Sequence, residues 1–348
     1  MEGRAPLNEP GERPDVALDA PRTRHLSVGM QAYVDELVQR LPRVAADLHF
    51  AVLPRARSLS LGEQIGLPIA LRRLRARLVH FMSVYAPVFP PKPYAITIHD
   101  LIHLHFPDQF KRTVGTYYAT VVRAVCARAA RVITDDPRTI DDLTRYLAVP
   151  AEKIRVVSLG VDDRFLAEGI APFRAERPYF IYAGNHRLHK DLATLFEAWA
   201  ALDEACAVDL YLTGPDDLPA DSVRRSRKNG SLRFLGEVGT DALASLYAGS
   251  IGLVYPSLRE GFGLPMLEAA AVGAPVIASR DAVPSGLAPY ARTFVPRDVR
   301  GLGGLMQAAL ETPLASEEAR RFARSQTWDL CAARTAEVYR EILRETAR

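Results

Sequence analysis

The chain has little cysteine and almost no excess of charge. Its three cysteines, Cys126, Cys206 and Cys331, are far apart. An odd number with no CxxC or metal-finger spacing argues against a disulfide framework and fits a reducing compartment. Forty-four basic residues face 41 acidic ones, leaving a formal net charge of +3. That balance does not describe a dedicated nucleic-acid binder. Long apolar runs are absent too. The most apolar helical stretch, "YYATVVRAVCARAARVIT", carries Arg123, Arg128 and Arg131 within the length a bilayer span needs. The run "VALDAPRTRHLSVG" has no G-x-G-x-x-G, so the dinucleotide fingerprint is missing. No tandem repeat or low-complexity block occurs. Residues 1–15 are charged, rich in Pro and Gly and without an apolar core, so they read as a flexible tail and not as a signal peptide.

What is present is alternation. The chain has 348 residues, 48% of them hydrophobic, which gives room for two α/β domains. Strand-like runs ("VALDA", "LHFAVLP", "LVHFMS", "YAITIHD", "RVITDD") alternate with helical ones, including a helix with Tyr33, Val34, Leu37, Val38 and Leu41 on one face. The pattern loosens around "VVSLGVDDRFLAEGIAPFRAERP" and then resumes with "YFIYAG", "DLYLTG", "LRFLG", "IGLVYPS" and "APVIAS". This predicts an α/β fold of two Rossmann-like, doubly wound domains facing a cleft. The predicted division is 16–170 for the first domain and 171–325 for the second. The closing helix, 326–348, is free to pack back on the first domain. A helix is also predicted over Leu67–Leu78, carrying Arg72, Arg73, Arg75 and Arg77. That cluster reads as a solvated helix face, with peripheral contact to an anionic membrane surface as the open alternative.

The least ordinary segment is "YPSLREGFGLPMLEAAAVGAPVIAS", Tyr255–Ser279. Glu260 follows an apolar strand, and seven residues separate it from Glu268. Gly261 and Gly263 let the backbone turn tightly and approach a ligand. Pro265 suits the first turn of a helix, whose unpaired N–H groups near Gly263–Met266 favour a phosphate. Glu268, about one turn further in, can accept from hydroxyls. Acceptor, anion site and acceptor in that order match the polarity of a nucleotide sugar. The same pattern also fits a plain glycine turn before a helix with a dipole-favoured glutamate. Lys190 stands at a helix start, where a positive charge is unfavourable unless an anion lies there. His99 ends a strand and Asp100 suits a turn. His103 and His105 follow, but no third ligand has metal-site spacing, so no metal is assigned. The pairs in "TDDP", "VDDR" and "PDDL" read as caps and turns.

The window "EGFGLPMLEAAAVGAPVIAS" resembles the E-x7-E region of retaining family-4 glycosyltransferases, which have the two-domain GT-B fold. "YAGNHRLHKDLATLFEAW", "FLGEVGTDALASLYAGSIGLVYPS", "ITIHDLIHLHFP" and "VVSLGVDDRF" are similar to other parts of that family, so the resemblance covers nearly the whole chain after Val16. The chain departs from the family pattern in having Asn185 where a first basic residue often stands, Gly29 alone in the first-domain glycine loop, and Ser285 after Pro284. The resemblance implies transfer of a hexose from a nucleoside-diphosphate sugar, GDP-mannose or a UDP-hexose, to a carbohydrate or lipid-linked acceptor. It implies retention of configuration, with no metal or other cofactor. It assigns Lys190 and Arg187 to the diphosphate, Glu260 and His99 to the hexose, and Glu268 to the ribose. Gly29, Gly261, Phe262, Gly263 and Leu264 are assigned to donor binding. The absence of Asp-x-Asp removes the metal motif of the other large glycosyltransferase fold. The expected location is cytoplasmic, with the inner membrane face open as a periphery. Two alternatives stay open: another GT-B enzyme, such as a nucleotide-sugar epimerase or a phosphorylase, and a nucleotide-sugar-binding protein without turnover.

Overall fold

Strands of almost unbroken apolar sequence form the centre of each of two units. The computed structural model describes residues 13–21, 27–55, 61–218, 229–312 and 317–347. Most of the expected N-terminal tail lies outside these residues. Its last members are anchored, because Pro14 O accepts from the Arg77 N–H at 3.2 Å and Asp15 pairs with Arg77 at 2.8 Å.

The first unit comprises residues up to Gly160 together with Trp328–Arg348. Its strands are β1 (Val16–Pro21), β2 (Phe50–Arg55), β3 (Leu78–Phe81), β4 (Tyr94–Thr97), β5 (Arg131–Thr134) and β6 (Ile154–Val156). They form one parallel sheet in the order β2-β1-β3-β4-β5-β6. β1, β3 and β4 are buried at every position, as expected of parallel strands covered on both faces. The helix Val28–Val44 buries Tyr33, Val34, Leu37 and Leu41. It packs against the closing helix Trp328–Thr346, which buries Trp328, Cys331, Tyr339 and Ile342. Arg40 ties the two helices together through Asp329 at 2.9 Å.

The second unit, Val161–Thr327, holds β7 (Tyr179–Tyr182), β8 (Asp209–Leu212), β9 (Leu232–Phe234), β10 (Gly252–Tyr255), β11 (Val276–Ser279) and β12 (Arg292–Phe294). Its parallel sheet runs β12-β11-β10-β7-β8-β9. The order reverses between β7 and β10, so these neighbours are the switch point of the sheet, and the loops at their carboxyl ends are where a ligand site is expected.

Three expectations differ from the structure. The units divide at Gly160 and Val161, not near Ala171, because Val161 donates to Gln326 O at 2.8 Å and Phe165 is buried against Tyr247. The arginine-bearing helix is Leu61–Leu74, not Leu67–Leu78. Arg75 turns left-handed at φ 52° and ends it, so Arg75 and Arg77 lie beyond the helix that carries Arg72 and Arg73. The third difference is β6 and β12, edge strands of three residues each, which no periodicity marked. Among the described residues no helix is long and apolar enough to cross a membrane.

Candidate functional site

The loops after β7 and β10 meet at the reversal point of the second sheet. After β7 the chain turns through Gly184 and reaches Lys190 at the end of a short 3-10 turn, Leu188–Lys190. After β10 it passes Ser257 and reaches Glu260. Leu258 N–H donates to His189 O at 2.8 Å, which binds the two loops together. Lys190 Nζ then donates to Glu260 Oε1 at 2.6 Å and to the Tyr255 hydroxyl at 3.3 Å. The side chains of Lys190 and Glu260 are only 8% and 9% exposed. The ammonium also lies 5.4 Å from the centre of the Tyr255 ring, which stacks on Tyr182. Burial, with the charge of Glu260, holds the Tyr255 hydroxyl protonated far above its ordinary range.

The helix Leu264–Ala271 starts at this place. Gly263 is its N-cap at φ 87°, a left-handed conformation that favours glycine. Pro265 has no N–H, and the N–H of Met266 donates to Gly263 O at 3.0 Å. Of the predicted anion donors at Gly263–Met266, Pro265 and Met266 therefore have no free N–H to offer. The backbone N–H groups of Gly261, Phe262, Gly263 and Leu264 donate to no described residue. Glu268 is half-buried one turn into the helix, and its side chain has no hydrogen-bond partner among the described residues. Burial, reinforced by Asp162, pushes its carboxyl up to about 8.

Other predicted donor contacts are placed differently. Arg187 is exposed, with its backbone N–H on Asn185 Oδ1 at 3.3 Å. Gly29 is not in a loop. It lies in the first turn of Val28–Val44, behind the Ser27 cap whose hydroxyl accepts from Met30 N–H at 3.3 Å. In the first unit, His99 follows β4 and is buried. Its Nδ1 lies 2.6 Å from Asp135 Oδ2, at the end of the neighbouring strand β5.

Some residues of these sites had no signal in the sequence. Asp135 was read with Asp136 as a turn former; Asp136 does accept from Arg138 N–H at 2.9 Å, but Asp135 pairs with His99. Asp217, also read as a turn former, holds His186 Nδ1 at 2.7 Å. His186 in turn closes on Thr213 O at 2.9 Å and fixes the glycine loop after β7. Aspartates that pair with histidines far along the chain become visible only once strand order is known. His105 is taken by Asp142 at 2.9 Å, and His103 stacks on Tyr118.

Residues 29–165 match the family described as Glycosyltransferase Family 4, and residues 177–309 match Glycosyl transferases group 1. The chain belongs to the family-4 glycosyltransferases. This glycosyltransferase is similar to O-antigen chain mannosyltransferase B of Escherichia coli, at 25% identity over 290 residues, 78% of this chain and 76% of the relative. It is similar to O-antigen chain mannosyltransferase RfbU of Salmonella typhimurium at 28% identity over 190 residues, 53% of this chain and 51% of the relative. Among solved structures, HepE of Anabaena in complex with UDP superposes with a TM-score of 0.70 at 17% identity, over 94% of this chain and 99% of that one. The fold is the GT-B architecture of two Rossmann-like domains.

Proposed function

We propose that this glycosyltransferase moves a hexose from a nucleoside-diphosphate sugar to an acceptor hydroxyl, with retention of configuration and without a metal. The observation that carries the reading is the buried Lys190–Glu260 contact beside the Gly263 helix start, with Glu268 one turn further on. Each element suits one part of such a donor. Lys190 and the backbone N–H groups of Gly261 to Leu264 supply positive potential for a diphosphate. Glu268 supplies an acceptor for ribose hydroxyls, and Glu260 one for the hexose. His99 keeps its assignment to the hexose, and Gly29 and Arg187 are secondary donor contacts.

In this reading the anomeric carbon becomes oxocarbenium-like as its bond to the diphosphate stretches. Negative charge grows on the leaving phosphate. A well-placed donor such as Lys190 contributes about 3 to 4 kcal/mol against that charge. The same ammonium fixes the Glu260 carboxylate, so leaving-group stabilisation and hexose orientation depend on one side chain. The names of the two O-antigen relatives favour mannose as the hexose, GDP-mannose as the donor and a carbohydrate acceptor.

A thermal-shift panel of GDP-, UDP-, ADP- and dTDP-sugars tests the donor, since a ligand that binds only the folded chain raises its melting temperature. The expected result is one responsive nucleotide, followed by hexose transfer whose product keeps the donor's anomeric configuration by NMR. No response to any nucleotide sugar, or an inverted product, contradicts the proposal.

A further inference from the structure

His99 and Asp135 occupy matching places on adjacent strands. Thr97 of β4 is in register with Ile133 of β5, and each member of the pair lies two residues beyond. The Ile98 N–H donates to Ile133 O at 2.9 Å, so the strand ends are fixed to each other just before the side chains meet. The Tyr33 ring meets the His99 ring edge-on, with centroids 4.7 Å apart. Tyr33 is itself immobilised: its hydroxyl lies 2.8 Å from Thr97 Oγ1, which lies 2.8 Å from His80 Nε2. His80 Nδ1 reaches the Tyr339 hydroxyl at 2.6 Å. The imidazole of His99 is therefore clamped on one face by an aromatic ring and at Nδ1 by a carboxylate. Two buried atoms of the pair have no hydrogen-bond partner, His99 Nε2 and Asp135 Oδ1.

An ionised carboxylate can only accept, so the proton between the two belongs on Nδ1. We infer that Asp135 is a positioning residue for His99: by holding the Nδ1 proton it leaves Nε2 as the one ring nitrogen that can meet a hydroxyl of the sugar substrate. This rests on the reading that His99 serves the transferred hexose. Asp135 also sets the ring's charge. Burial disfavours the imidazolium, but the charge and hydrogen bond of Asp135, with the charge of Asp100, outweigh it and raise the His99 pKa. The other groups on this ring and its partner are Asp136 beside Asp135, neutral His80, Tyr33 and Cys331. A charged ring donates from Nε2. A neutral ring keeps its proton at Nδ1 and accepts at Nε2. A sugar hydroxyl can serve both states, but the strength of its contact then follows the charge of the pair.

The test is 15N NMR of the full chain labelled at histidine, with His99 assigned by the resonance lost in His99→Gln. In the natural chain the neutral His99 ring is expected to carry its proton on Nδ1, and GDP-mannose or UDP-glucose is expected to shift Nε2. In Asp135→Asn the amide oxygen still accepts from Nδ1, but without charge, so His99 titrates at lower pH and the matching limb of the transfer rate moves with it. In Asp135→Leu the proton moves to Nε2, and kcat falls roughly ten- to a hundredfold. GDP affinity stays as in the natural chain in both variants. A neutral natural ring protonated at Nε2 overturns the inference, as does an Asp135→Asn rate profile that does not move. If Asp135→Leu does not fold, Asp135→Asn decides. If the chain transfers no hexose while nucleotide sugars still shift Nε2 in an Asp135-dependent way, the proposed activity fails and the positioning role stands.

Discussion

Both sheets end in a buried contact between a basic side chain and a carboxylate, 2.6 Å in each unit, and the two contacts are built differently. In the second unit Lys190 and Glu260 are 70 residues apart and come from loops that meet where the strand order reverses. In the first, His99 and Asp135 follow consecutive neighbouring strands, 36 residues apart. An ammonium with three donors can hold a carboxylate and still offer positive charge to a diphosphate. An imidazole has two nitrogens, so a carboxylate on one leaves a single site for a ligand, and the ring's charge varies with pH. A fixed charge suits a ligand that is always anionic; a titratable ring suits hydroxyls.

The largest expected effect comes from breaking the fixed pair. Lys190→Ala leaves Glu260 buried without its cation, which costs about 3 to 5 kcal/mol in urea unfolding. Lys190→Met combined with Glu260→Leu removes both charges and is expected to recover most of that loss. If Lys190→Ala unfolds like the natural chain, the two residues are not a buried pair in solution. In the first unit the matching change is milder. Asp135→Asn keeps an acceptor for the His99 ring and is expected to cost about 1 kcal/mol.

Glu268 gives a pH-dependent comparison. Its carboxyl is held up to about 8 in the folded chain against an ordinary 4.5. Between those values the folded state keeps a proton that the unfolded state has released. Stability therefore falls as pH rises from about 4.5 to 8, and the loss persists above. Glu268→Gln does not titrate. Its melting temperature should match the natural chain near pH 5 and exceed it at pH 9. A constant difference across that range contradicts the burial of the carboxylate.

Smaller effects follow. Gly263→Ala places a Cβ against Met266 Cε in a left-handed conformation, and is expected to cost about 1 to 2 kcal/mol. An alanine variant as stable as the natural chain means that the helix starts elsewhere. Because Lys190 and backbone N–H groups serve the diphosphate in this reading, EDTA is expected to leave the transfer rate unchanged. Loss of activity with recovery on Mg2+ or Mn2+ contradicts that part of the proposal.

The two sites were not equally legible in the sequence. Glu260, the glycines and Glu268 fall within one short window, and local backbone chemistry alone relates them. The buried strands were legible because runs such as "YFIY" are apolar throughout. The Lys190–Glu260 contact was not, since it depends on β10 lying beside β7. Asp135 was hidden for the same reason: it stands in a pair of aspartates that also makes a turn, and only the β4–β5 register brings it to His99. β6 and β12 were missed, although β9, equally short and also at a sheet edge, was legible in "LRFLG", so shortness at an edge is not by itself what hides a strand.

The central claim is that the second unit binds the donor with its ribose at Glu268 and its hexose at Glu260. Calorimetry of free GDP and UDP against Glu268→Gln and Glu260→Gln, each first shown to melt natively, tests it most directly. The account predicts that at pH 9, where the Glu268 carboxyl is ionised, Glu268→Gln loses affinity for the preferred nucleotide by roughly ten- to a hundredfold, the loss of a hydrogen bond to a charged group. Glu260→Gln should keep nucleotide affinity while hexose transfer falls. If Glu260→Gln loses the nucleotide and Glu268→Gln does not, the donor lies the other way round and this account of the site is wrong.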